Sequence, residues 1–142
     1  MFNPSQEDVR RFFCEAFRKQ RANEVLTPLE AMAADWINHH PEYHDVLSDV
    51  EKALARDYAV ASGETNPFLH LSMHLSIDEQ ISIDQPPGIR QAATELTLKL
   101  DSAHEAQHRI MECLGEMIWN SQRNGQPPDA IAYMDSVRRL LK

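Results

Sequence analysis

Glycine is scarce in this 142-residue chain, at four residues, and cysteine scarcer still, at two. So little glycine excludes collagen-like repeats, and neither a phosphate-cradling glycine-rich loop nor a dinucleotide fingerprint is present. Cys14 and Cys113 stand far apart and form no CxxC pair. The expected state is two reduced thiols packed as small hydrophobes rather than a disulfide. Basic charge is also in deficit, with 14 Lys and Arg against 22 Asp and Glu, a formal net charge of −8. That balance disfavours the phosphate-driven attraction behind most nucleic-acid affinity, so a nucleic-acid partner is not expected. No apolar run approaches the roughly 20 residues that span a bilayer, and no membrane partner is expected. The start, Met1-Phe2-Asn3-Pro4-Ser5-Gln6-Glu7-Asp8, lacks the basic segment and apolar run of a signal peptide. The expected location is the cytoplasm.

What remains is an ordinary globular composition, 42% hydrophobic and 25% charged, of a length suited to a single domain spanning residues 1–142. Apolar residues recur at helical spacing, and no sustained period-two alternation marks a strand. Val9, Phe12, Phe13, Ala16 and Phe17 line one face of a helix over 6–19. Thr27-Pro28-Leu29-Glu30 combines an N-cap, a first-turn proline and a capping-box glutamate, and Pro41 stops that helix near His39. A short helix follows to Leu47, another covers Val50 to Val60, and Asn66-Pro67 opens one that runs to about Ile83. Helices then cover Ile89–Leu100 and about 101–124, with Gly125 as a stop, and a last one begins at Asp129. The expected fold is all-α, a helical bundle of about six helices. Trp36 and Trp119 are expected in the core, and Arg10, Arg11, Arg18, Lys19 and Arg21 on a solvated face.

Seven histidines are distributed unevenly. His40 and His44, His70 and His74, and His104 and His108 are each four residues apart. A shuffled chain of this composition gives about 0.3 such pairs, so three call for an explanation. Four-residue spacing puts two imidazoles on one helical face, where both reach one metal ion. His70 and His74 share a stripe with Met73, Ile77 and Ile81, and His104 and His108 with Met111, Gly115, Ile118 and Trp119. Such apolar surroundings turn the rings inward. Glu112 lies one turn beyond His108, and Asp78 one turn beyond His74. Pro41 divides the His40/His44 pair between two elements.

The candidate metal ligands are therefore His108, His74, His104, His70 and Glu112, with His44 added, and zinc or iron suits an imidazole and carboxylate set. His104-Glu105-Ala106-Gln107-His108 also fits the HExxH zinc-peptidase pattern, which a chain of this composition contains by chance about 0.03 times. That chemistry needs a third ligand and a sheet beside the helix, and the sequence provides no sign of the sheet. No catalytic residue is assigned. The leading expectation is a helical protein with a His/carboxylate-lined pocket that binds a transition metal. The alternative is a non-enzymatic interaction module, with a homodimer as one form of it, whose histidines are structural.

Several longer runs carry a resemblance: Met1-Phe2-Asn3-Pro4-Ser5, His40-Pro41-Glu42-Tyr43-His44 and Asn66-Pro67-Phe68-Leu69-His70-Leu71-Ser72-Met73-His74-Leu75. Gln85-Pro86-Pro87-Gly88-Ile89-Arg90, His108 through Glu112-Cys113-Leu114-Gly115-Glu116, and Gln122-Arg123-Asn124-Gly125 complete it. Together they resemble a family of small bacterial proteins classed as a domain of unknown function. The likeness covers nearly the whole chain. It implies a stand-alone cytoplasmic domain and carries over no catalytic residue.

Overall fold

The computed structural model describes residues 5–56 and 66–142. Among these there are eight α-helices, one 3-10 turn and no strand, so the all-α expectation holds with a slightly higher helix count. The short helix expected to end at Leu47 is divided into the 3-10 turn Pro41–Tyr43 and a four-residue α-helix, His44–Leu47. No helix among the described residues is long and apolar enough to cross a membrane. The chain groups into two compact units, Met1–Leu75 and Ser76–Lys142.

In the first unit, α1 (Gln6–Arg21) starts at Ser5, whose hydroxyl accepts from the Asp8 amide while the Asp8 carboxylate accepts from the Ser5 amide. The same reciprocal pair, Thr27 with Glu30, starts α2 (Pro28–Asn38). The turn Pro41–Tyr43 and the short helices α3 (His44–Leu47) and α4 (Val50–Ala55) follow. The expected continuation to Val60 lies outside the described residues. Helix α5 (Pro67–Ile83) begins where the Asn66 side chain accepts from the Phe68 and Leu69 amides. Phe13, Ala16, Phe17, Trp36, Ile37, Leu47, Phe68 and Leu71 form the core here.

Arg10 departs from the solvated face expected for the basic residues of α1. It is 7% exposed, lies over the Phe68 ring, and donates through one guanidinium nitrogen to the Ala53 and Arg56 carbonyls at 2.7 and 2.6 Å. These carbonyls lie at the end of α4, where the helix leaves acceptors without intrahelical donors, and Arg10 supplies them. The pairing spans more than 40 residues of chain, which helical spacing cannot anticipate.

In the second unit, the last turns of α5 are hydrogen-bonded to α6 (Ile89–Leu100) through Arg90, to α7 (Ala103–Asn124) through Gln107 and to α8 (Ala130–Arg139) through Tyr133. Ile77, Ile89, Leu96, Ile110, Leu114, Tyr133 and Val137 are buried. Gly88, at φ +97°, opens α6, and a β-carbon there would fall 2.9 Å from an Arg138 guanidinium nitrogen. Ser102 and Asp129 cap α7 and α8. Trp119 is not the core anchor its spacing suggested: it is 56% exposed, with the Arg123 guanidinium over its ring at 4.2 Å. Cys14 and Cys113 are free and buried, as the composition implied.

Candidate functional site

Within the first unit, three imidazoles meet beside one tryptophan. Pro41 ends the α2 helix, so His40 is left one turn beyond Trp36 with its side chain folded back onto that helix. Its Nδ1 lies 2.7 Å from the Trp36 carbonyl oxygen. A carbonyl only accepts, so Nδ1 carries a proton. His40 is 3% exposed, and its ring is stacked parallel on Tyr43 at 5.2 Å between centroids.

The other two imidazoles come from α5, one turn apart, as their spacing required. His70 places its Nε2 3.1 Å from Nε2 of His40. His74 is fully buried and stacked on the Trp36 indole, with centroids 3.9 Å apart. The His74 ring centroid is 5.0 Å from that of His40 and 4.9 Å from that of His70. His44 opens α3 and turns elsewhere: its Nε2 lies 3.0 Å from the Ile37 carbonyl and its ring rests on Phe17. His39 caps the end of α2, with Nδ1 on the Asp35 carbonyl.

Within the second unit, His104 and His108 lie side by side on α7, ring centroids 4.3 Å apart, both half-buried. Between them, Gln107 is buried and donates its amide N–H to the Asp78 carboxylate at 2.6 Å. Glu105, the central acid of the HExxH run, lies on the exposed side and pairs with Arg109 at 3.4 Å. Glu112 is exposed, as is Glu116. Together with burial, which acts most strongly, these two carboxylates hold the Cys113 thiol above its ordinary pKa.

Four-residue spacing puts each pair on one helix face, and ring centroids 4.9 Å apart on α5 and 4.3 Å apart on α7 agree with it. His40 is not among the candidate ligands, because Pro41 divides its pair between two elements. The interval from Trp36 to His40 carried the signal, since a side chain four residues past an aromatic at a helix end folds back onto the same turn. Trp36 and Tyr43, which pack the imidazoles, were legible only as aromatics.

Comparison with the curated proteins and with the solved structures found no match. A family model matches residues 5–139, nearly the entire chain. The chain therefore belongs to the family described as "Domain of unknown function (DUF1841)".

Proposed function

We propose that this protein binds a transition-metal ion through imidazole nitrogens, with His40 and His74 of the first unit as ligands. The reading is carried by the three imidazoles gathered in that unit: Nε2 of His70 lies 3.1 Å from Nε2 of His40, and the His74 ring centroid lies 5.0 and 4.9 Å from those of His40 and His70.

The ligand chemistry follows from the side chains. Imidazoles suit zinc, and copper, nickel and iron after it. The HExxH run lends no support to a hydrolytic centre. The exposed, Arg109-paired Glu105 agrees, because a general base would have to face the ion.

The test is elemental analysis of untagged protein purified without chelator, with the double variant His40→Ala and His74→Ala beside it. One equivalent of metal in the native chain and its loss in the variant are expected. A metal-free native protein that also takes up no added zinc overturns the reading, as does a double variant that keeps its metal.

A further inference from the structure

We infer that His70 is the third ligand of the metal site in the first unit, and that it shares the ion with His40 through the two Nε2 atoms. The inference rests on the metal-binding reading above and extends its ligand set.

The three rings form a nearly equilateral triangle. Their centroids stand 4.8 Å apart for His40 and His70, 5.0 Å for His40 and His74, and 4.9 Å for His70 and His74. Zinc binds an imidazole nitrogen at about 2.0–2.1 Å, which puts each ring centroid roughly 3.2 Å from the ion. Rings on one ion then have centroids about 4.5 Å apart at right-angle coordination and about 5.2 Å apart at the tetrahedral angle. All three sides of the triangle fall between these limits. The nitrogens of one side agree, with Nε2 of His40 and Nε2 of His70 3.1 Å apart. Two nitrogens on one zinc are about 2.9 Å apart at a right angle and about 3.4 Å at the tetrahedral angle. Bridging this pair asks the rings to tilt toward the ion and not to separate.

The local chain explains the arrangement. Four-residue spacing on α5 sets His70 one turn from His74, and Pro41 leaves His40 folded back on α2. Nδ1 of His40 is engaged by the Trp36 carbonyl at 2.7 Å, so Nε2 is the nitrogen it turns to an ion. Tyr43 is a common neighbour of the pair, parallel to His40 at 5.2 Å and edge-on to His70 at 6.0 Å. In the metal-free chain the 3.1 Å contact is a hydrogen bond, with a proton between the two Nε2 atoms. Metal entry displaces that proton to solvent or, where it belongs to His70, to Nδ1 of that ring. His40 and His74 are 3% and 0% exposed, whereas His70 is half-buried, so His70 is the ligand nearest solvent.

His70→Gln separates a ligand from a hydrogen-bond partner, because it is close in volume and keeps a side-chain N–H for His40 but has no imidazole. Zinc affinity, measured by competition with a chromophoric chelator, is expected to fall at least about tenfold in His70→Gln, since losing only the support of a ligand already costs that much. Copper(II) bound to the native chain and to the variant is then compared by pulsed electron paramagnetic resonance. One fewer coordinated imidazole is expected in His70→Gln. An affinity that stays within about threefold of the native value, less than one supporting contact is worth, overturns the inference alone. An equal number of coordinated imidazoles in the two chains does the same, and leaves His70 as a hydrogen-bond partner of His40. Failure of the native chain to bind either zinc or copper overturns the metal-binding reading and this inference with it.

Discussion

The indole of Trp36 lies flat against the imidazole of His74, their centroids 3.9 Å apart and their planes 11° from parallel. The same residue's carbonyl holds Nδ1 of His40. Trp36 therefore fixes two histidines from different elements, one through its ring and one through its backbone. Metal-binding imidazoles commonly owe their tautomer and orientation to such neighbours.

Substitution at Trp36 separates the two contributions. Trp36→Ala removes the stacked face and leaves a cavity in the first unit's core, and it is expected to cost about 3–5 kcal/mol in urea unfolding. Trp36→Phe keeps an aromatic face and the backbone carbonyl, and it should retain metal stoichiometry at a smaller stability cost. In a Trp119→Phe background, emission comes from Trp36 alone, and added copper(II) should quench it at one equivalent. A chain that binds copper without quenching would place the ion away from the Trp36–His74 stack.

The Asp78–Gln107 bond links α5 to α7 at 2.6 Å, with Gln107 only 6% exposed. Gln107→Leu keeps the volume and removes the donor, leaving Asp78 half-buried without it. The expected destabilisation is about 1–3 kcal/mol by denaturant unfolding. An unchanged unfolding midpoint would show that the bond adds nothing to the second unit's stability.

Arg10→Met tests the buried cation of the first unit. The substitution conserves the apolar stem against Phe68 and removes the donor to the Ala53 and Arg56 carbonyls. Hydrogen bonds to a charged group give an expected loss of about 2–4 kcal/mol. Amide exchange should locate the change first in α4, whose end Arg10 completes. Unaltered α4 protection would reduce Arg10 to a packing residue.

Local chemistry was readable wherever a short motif determined the outcome. Thr27 and Glu30 form the reciprocal bonds that their spacing announced, and Gly125 takes the left-handed conformation that ends α7. The histidine pairs on α5 and α7 sit as a 3.6-residue repeat dictates. Three features escaped because they depend on partners distant in sequence or on where a core ends. Arg10 is buried only because α4 folds back over α1. Trp119 continues an apolar stripe past the end of its packing surface and is left exposed. His40 required knowing that Pro41 turns the chain without carrying the side chain away from α2.

The thiols supply a prediction about reactivity. Burial, reinforced by the Asp49 charge, raises Cys14 to about 11. At about pH 8 a group with that pKa is thiolate in roughly one molecule per thousand, and the thiolate is the reactive form. Both cysteines are expected to resist an aromatic disulfide reagent in the folded protein and to react promptly in guanidinium. Fast native reaction of Cys14 would show that the first unit opens locally around α1.

Glu30 sets an acid limit on the first unit. Its carboxylate accepts from the Thr27 backbone amide at 2.9 Å and pairs with Lys19 at 3.1 Å. These partners, the backbone amide foremost, hold its pKa below the ordinary 4.5. A depressed pKa means that the unfolded chain binds the proton more readily than the folded one. The contribution is therefore complete at neutral pH, begins to fade as pH falls through the unfolded value, and is gone once pH passes below the folded one. Glu30→Gln should flatten that part of the acid unfolding profile and leave the profile above about pH 6 parallel to the native one. Identical acid profiles for the two chains would show that the α2 capping box is not what sets the limit.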